Sequence, residues 1–150
     1  MEYLIRPMTE KDLPAVAKIE RQCFSKPWSE EELAKCFCLD NYRFFVSEAA
    51  SGTAGYVGIA KSADEGDVVT LAVLPKFRRQ GMALKLMKAV LGYAEAEGIN
   101  YLFLEVRVSN LPARTLYERL GFTTVGLRPD YYEAPRENAL LMKYERRAVC

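Results

Sequence analysis

The 150-residue chain contains no histidine. That excludes Ser-His-Asp and Cys-His catalysis within the chain, and every zinc site built on imidazole. Acid–base work falls to Glu, Asp, Tyr, Lys, Cys or water. The chain also lacks an excess of either charge: 21 Lys+Arg stand against 20 Asp+Glu, a net +1, which gives no general basic field for nucleic acid. No Cys-x-x-Cys pair occurs among Cys23, Cys36, Cys38 and Cys150, so reduced thiols are expected rather than a disulfide framework. The longest nearly apolar run, Val68 to Leu74, is too short to cross a bilayer, and Met1–Pro7 has no signal-peptide core. Neither G-x-G-x-x-G nor G-x-x-x-x-G-K-[ST] is present. The expectation is one soluble cytoplasmic domain over residues 1–150, with no resident metal and no nucleic-acid or membrane partner.

What is present is a patterned α/β sequence. Leu4-Ile5 reads as a strand stopped by Pro7. Thr9-x-x-Asp12 and Ser29-x-x-Glu32 have capping-box spacing, and Leu13, Val16, Ala17 and Glu20 follow the first at helical spacing. Tyr42–Glu48 and Gly55–Lys61 read as strands around a Ser51-Gly52 turn. Asp64–Asp67 reads as a second turn before the β-branched strand Val68–Val73. A long helix is predicted over Met82–Glu97 with Gly98 as its stop, then a strand over Tyr101–Arg107. Asn110 and Gly121 bracket a further helix. Phe122–Leu127 and Ala139–Tyr144 read as strands flanking a loop rich in Pro and Tyr. The order β-α-α-β-β-β-α-β-α-β-β predicts a mixed sheet with helices packed on it, an α/β (α+β) arrangement.

Three segments carry chemistry. In Lys76-Phe77-Arg78-Arg79-Gln80-Gly81-Met82-Ala83, three cations stand at a helix N-terminus with no acid among them. That end of a helix carries partial positive charge, so each misplaced cation costs about 0.3–1 kcal/mol. A bound phosphate or pyrophosphate would reverse the sign, with Gly81 letting backbone amides approach it; a solvated basic flank is the plainer reading. In Tyr101–Arg107, alternation puts Tyr101, Phe103, Glu105 and Arg107 on one face. Glu105 is either a base at the end of an aromatic face or a strand-end carboxylate paired with Arg107. On the helix after Asn110, Tyr117 falls on the stripe of Ala113, Leu116 and Leu120 and points at the sheet. It is either a proton donor or a core tyrosine with a satisfied hydroxyl. The aromatics Trp28, Tyr131 and Tyr132 in turn-rich segments either line a cleft or staple loops to the core.

Together and in this order these segments resemble the GCN5-related N-acetyltransferase (GNAT) superfamily. Arg78-Arg79-Gln80-Gly81-Met82-Ala83 matches its [RQ]-x-x-G-x-[GA] pyrophosphate motif, with Ala83 where a second glycine is more frequent. Leu116-Tyr117-Glu118-Arg119-Leu120-Gly121-Phe122 looks like its late helix-to-strand segment. More narrowly, Leu104–Asn110, Cys23-Phe24 with Pro27-Trp28-Ser29, and Arg128 with Tyr131-Tyr132 are similar to the ribosomal-protein alanine N-acetyltransferases. Asn138 departs from the acid usual in that family before the last strand.

The resemblance implies a GNAT fold and acetyl-CoA as co-substrate. It implies an acceptor that is the N-terminal alanine of a small-subunit ribosomal protein. It makes Glu105 the general base and Tyr117 the general acid. Leu71, Ala72, Val73, Arg78, Arg79, Gln80, Gly81, Met82, Ala83 and Asn110 would hold acetyl-CoA. Trp28, Tyr131 and Tyr132 would face the acceptor. The alternatives are a GNAT acting on a small-molecule amine or lysine, and a GNAT-fold module that binds without turnover.

Overall fold

A capping interaction opens each of the first two helices. The Asp12 carboxylate accepts the Thr9 N–H at 2.7 Å and closes a single 3-10 turn before α1 (Leu13–Cys23). Ser29 Oγ accepts from Glu32 N–H while the Glu32 carboxylate accepts from Ser29 N–H, both at 3.1 Å, and α2 (Glu30–Phe37) follows. In the computed structural model, which describes residues 3–146, the remaining elements are β1 (Tyr3–Pro7), β2 (Tyr42–Ala49), β3 (Gly52–Ser62), β4 (Glu65–Val73), α3 (Met82–Ala96), β5 (Tyr101–Arg107), α4 (Leu111–Leu120), β6 (Thr123–Tyr132) and β7 (Glu137–Glu145). This is the mixed α/β order read from the sequence. The tail segment containing Cys150 lies outside the described residues; Cys23, Cys36 and Cys38 are free thiols.

The seven strands form one sheet in the order β1-β2-β3-β4-β5-β7-β6. All neighbours are antiparallel except β4 and β5. Helices cover both faces. On one, α3 and α4 bury Met82, Leu86, Met87, Val90 and Tyr117 against Leu102, Leu104 and Val106 of β5. On the other, α1 and α2 bury Val16, Ile19 and Leu33 against Phe44, Val46 and Tyr56. The strict alternation of buried and half-buried residues along β5 leaves Tyr101, Phe103, Glu105 and Arg107 on the α1/α2 side.

Three strand boundaries differ from the sequence reading by three residues or more. β3 starts at Gly52 rather than Gly55. Glu65–Asp67 lies within β4 rather than in a turn; the turn is confined to Ala63 and Asp64. Those three residues form the whole β4–β5 ladder, pairing with Tyr101–Phe103, so strand pairing overrides their weak β propensity. Arg128–Tyr132 likewise belongs to β6 rather than to a loop. Pro129 is tolerated because β6 is an edge strand with an irregular register between Arg128 and Tyr132.

Arg6 ties β1 to the start of α1 through two parallel bonds to Asp12, at 2.8 and 2.9 Å, and reaches Glu48 on β2 at 3.2 Å. The guanidinium lowers the Asp12 carboxyl to about 2. A lowered pKa gives stability that is present above the ordinary value of 3.8 and is lost as pH falls through about 2. The stability gap between wild type and Arg6→Ala, measured by urea unfolding, should therefore shrink by about 2 kcal/mol between about pH 5 and pH 2. A gap that stays constant over that range would remove this ion pair from the acid response.

Candidate active site

β4 and β5 run parallel, so α3 and α4, which follow them, begin at the same edge of the sheet. Their ladder stops at Asp67–Phe103. Beyond it the two strands separate and leave a split between their C-terminal halves, the usual place for a ligand in such folds. The backbone on the β4 side faces this split. Leu74 N–H donates to Ala54 O at 2.8 Å, and bonded and non-bonded pairs alternate in an antiparallel ladder. The Gly55–Val73 and Val57–Leu71 pairs are therefore non-bonded ones. The N–H and C=O of Leu71 and Val73 turn away from β3, toward β5, while Ala72 bonds back to β3.

The two helix N-termini at this edge are treated differently. Asn110 caps α4 by accepting Ala113 N–H at 3.2 Å. In α3 the N-cap is Gly81, with φ of 76°, no side-chain cap and no acid in the first turn. The initial N–H groups of α3 thus have no side-chain cap, and Lys76, Arg79 and Lys85 in the same segment have no ion-pair partner among the described residues, Lys76 and Lys85 lying over the Phe77 and Tyr3 rings. Tyr3 holds the loop by donating to Gln80 O at 3.1 Å, and Arg79 shares the left-handed backbone region at φ of 65°. This arrangement fits a diphosphate: free amides, a glycine at the point of approach, and unspent positive charge. Met82 is buried in the core and anchors the helix start; Ala83 packs at its edge.

Two expected cofactor residues are occupied otherwise. Arg78 turns back from the loop: its Nε donates to Val73 O at 2.9 Å and its Nη2 to Cys23 Sγ at 3.7 Å. Asn110 spends its carbonyl oxygen on the cap. Cys23, at the end of α1, donates to the same Val73 O at 3.6 Å, and burial pushes its thiol up.

On the opposite wall, Glu105 is partly buried and paired with Arg128, Nε to Oε1 at 3.3 Å, rather than with Arg107. Arg107 instead binds Glu137 at 3.3 Å and the carbonyl oxygens of Glu133 and Pro135, and its guanidinium lies 4.4 Å from the Tyr132 ring centre. Tyr117 is 7% exposed and packs on Phe122, ring centres 5.7 Å apart. Its hydroxyl has no hydrogen-bond partner among the described residues, and burial raises its pKa well above the ordinary phenol value. Glu105 and Tyr117 approach the split from opposite faces of the sheet. Tyr132, on β6, is close enough to both for its charge to raise Tyr117 and for that of Glu105 to raise Tyr132. Burial, then the neighbouring Tyr131, pushes Tyr132 to about 12. Tyr131 meets Tyr132 edge-on at 5.0 Å.

The structure also gives contacts to residues that the sequence reading missed, Glu137, Lys26 and Glu133, and to two that it named, Asn138 and Trp28. Glu137 accepts Ser109 N–H at 2.6 Å and so fixes the β5–α4 turn. Asn138 accepts Asp130 N–H at 2.9 Å, which gives the non-acidic side chain at that position a structural use in the irregular part of β6. Lys26, in the loop after α1, is ion-paired with Glu133 in the β6–β7 turn, so a strap crosses above the split. Trp28 sits in that loop, partly buried against the α1/α2 core.

Gly81 is a test of the loop's backbone. A Cβ there has room, meeting only the Tyr3 hydroxyl at 3.8 Å, so any penalty is conformational. Gly81→Ala should cost about 1 kcal/mol in urea unfolding. An unchanged midpoint would mean that the left-handed conformation is not required.

The chain matches the acetyltransferase (GNAT) family over residues 13–122. It is 34% identical over 140 residues to the ribosomal protein bS18-alanine N-acetyltransferase of Escherichia coli K12, covering 92% of this chain and 94% of that protein. It is 33% identical to an uncharacterized N-acetyltransferase of Methanocaldococcus jannaschii, covering 93% and 90%. The crystal structure of the Escherichia coli ribosomal-protein-S18-alanine N-acetyltransferase superimposes with a TM-score of 0.91 at 31% identity, covering 99% of this chain and 97% of that one. An edge-on split between parallel strands, an uncapped cationic helix start and this extent of likeness lead to one conclusion: the chain belongs to the GNAT family and is an N-acetyltransferase that uses acetyl-CoA as its co-substrate.

Proposed function

We propose that the chain acetylates the N-terminal α-amine of a protein, with an alanine-starting small-subunit ribosomal protein as acceptor, and so works in the cytoplasm as a single GNAT domain. The observation that carries this is the pair Glu105 and Tyr117, set on opposite sides of the split with no histidine available to either. The relatives whose names specify ribosomal alanine acetylation, alike over nearly the whole chain, support the choice of acceptor.

The acetyl group reaches the split as a thioester of coenzyme A, already activated for transfer. The α3 N-terminus, Arg79, Gln80, Gly81, Met82 and Ala83 hold the diphosphate through backbone amides and charge. Leu71 and Val73 present peptide groups to the pantetheine arm across the open side of β4, and Ala72 keeps that strand in register. Arg78 and Asn110 set the shape of this wall through Val73 O and the α4 cap. The Val73 N–H, aimed into the split, steadies the carbonyl oxygen as it gains charge. Glu105 takes a proton from the acceptor ammonium. The freed amine adds to the thioester carbonyl carbon and the C–S bond breaks; Tyr117, whose hydroxyl has no partner among the described residues, protonates the departing sulfur and recovers a proton from the new amide nitrogen.

Proton arithmetic favours an α-amine. Its reference pKa is about 7.7–8.0 against about 10.4 for lysine, so neutralising it at pH 7 costs about 1 kcal/mol rather than nearly 5. One carboxylate suffices, and no covalent acyl-enzyme is needed. The acceptor enters between the Trp28 loop and the Tyr131-Tyr132 edge of β6, where aromatic faces line the way to Glu105.

Incubation with acetyl-CoA should add one acetyl group, seen by intact mass, to a peptide that begins with alanine, in preference to free amines and to peptides whose only amine is a lysine side chain. Acetylation of the lysine or free amines alone would overturn the α-amine reading. Within it, Glu105→Gln should lower kcat/KM by about 10²-fold or more. Tyr117→Phe should lower kcat by about 10²-fold with acetyl-CoA affinity, measured by calorimetry, unchanged. Full turnover by Tyr117→Phe would take the acid role from Tyr117.

A further inference from the structure

Glu20 is buried, only 3% exposed, on the apolar stripe of α1. A carboxylate in that position is costly unless its oxygens are satisfied. Three neutral donors converge on it. Tyr56 Oη on β3 donates to Oε2 at 2.5 Å, Thr70 Oγ1 on β4 donates to the same oxygen at 3.3 Å, and the Trp28 backbone N–H donates to Oε1 at 2.9 Å. No cation is paired with it among the described residues. A leucine there would pack with Leu13, Val16 and Ala17 but would leave the Tyr56 hydroxyl and the Trp28 N–H without their acceptor. What the carboxylate adds is a fixed point for the loop after α1, because Trp28 N–H belongs to that loop.

The loop's other attachments show where it lies. It leaves α1 at Cys23, whose thiol meets Val73 O at the end of β4. It passes Lys26, ion-paired with Glu133 of the β6–β7 turn. It returns at Trp28 and enters α2 through the Ser29 cap. It therefore spans the mouth of the split from β4 to β6. The contacts at Lys26 and Glu133 are solvent-exposed and weak, so the buried anchor is the one at Glu20.

We infer that Glu20 is a positioning residue for acetyl transfer: through Trp28 N–H and the Tyr56 hydroxyl it holds the residue 24–29 loop in place as the acceptor-side wall of the cleft. This rests on the reading that a peptide acceptor enters beside that loop. The Glu20 side chain makes no hydrogen bond to the Leu71–Val73 backbone or the α3 N-terminus among the described residues, so its loss separates the two substrates.

Trp28 is the single tryptophan of the chain, so its fluorescence reports the loop without reference to any acceptor. In Glu20→Ala, acrylamide quenching of Trp28 should rise by at least about twofold. The acetyl-CoA Kd by calorimetry should stay within about twofold, while KM for the alanine-starting peptide rises about tenfold at a little-changed kcat. Glu20→Gln, which keeps an acceptor for Trp28 N–H, should restore most of each loss. Tyr56→Phe removes only one hydroxyl and should move quenching and KM in the same direction by less; it decides the matter if Glu20→Ala does not fold. Unchanged quenching, or acetyl-CoA Kd and peptide KM rising in parallel, would overturn the inference. If the wild type does not acetylate the peptide, the ribosomal reading falls, and quenching with acetyl-CoA affinity still decides the role of Glu20.

Discussion

The separation of β4 from β5 is the constraint on which the rest of this structure depends. Two parallel neighbours in the middle of the sheet share only three residue pairs, all at one end. Had the ladder continued, Leu71 and Val73 would have spent their peptide groups on β5. Because it stops, the peptide groups of Leu71 and the N–H of Val73 face an open split while the Val73 carbonyl is taken by Arg78 and Cys23, and the α3 and α4 N-termini both arrive at its edge. The opening survives because each strand is held from its other side, β4 by the long antiparallel ladder with β3 and β5 by the full ladder with β7. The two apolar cores then fix the sheet from above and below.

Much of this was legible in the sequence, for physical reasons that differ by element. The α3 loop stood out because it breaks a local rule: three cations and no acid at a helix start invite an anion. The structure sharpens this by leaving α3 uncapped while α2 and α4 carry side-chain caps. Capping residues located α1, α2 and α4 closely, and strand alternation put Glu105 on the correct face. The pattern around Tyr117 favours a core tyrosine with a satisfied hydroxyl; the hydroxyl has no partner among the described residues, which the pattern does not foretell.

The rest was hidden because it depends on distant partners. Nothing local says that Glu65–Asp67 pairs with Tyr101–Phe103, so an acidic glycine-containing stretch read as a turn. Nothing local assigns Glu105 to Arg128 rather than to the nearer Arg107. Arg78 looked like a phosphate ligand, yet it turns back onto Val73 O. Asn138, conspicuous as a departure from the family pattern, proves to brace the backbone of Asp130. Glu20 was visible only as one more position on a helical stripe, and its burial against Tyr56, Thr70 and Trp28 gives it meaning.

The central claim is that acetyl-CoA lies in the split, against the Leu71 and Val73 amides of β4 and the uncapped start of α3. Hydrogen–deuterium exchange with and without acetyl-CoA tests it most directly. The account predicts slowed exchange at the amides of Leu71 and Val73 and through the first turn of α3, Met82 to Lys85, with β1 and α2 unaffected. Protection confined to other elements, with those amides unchanged, would contradict it.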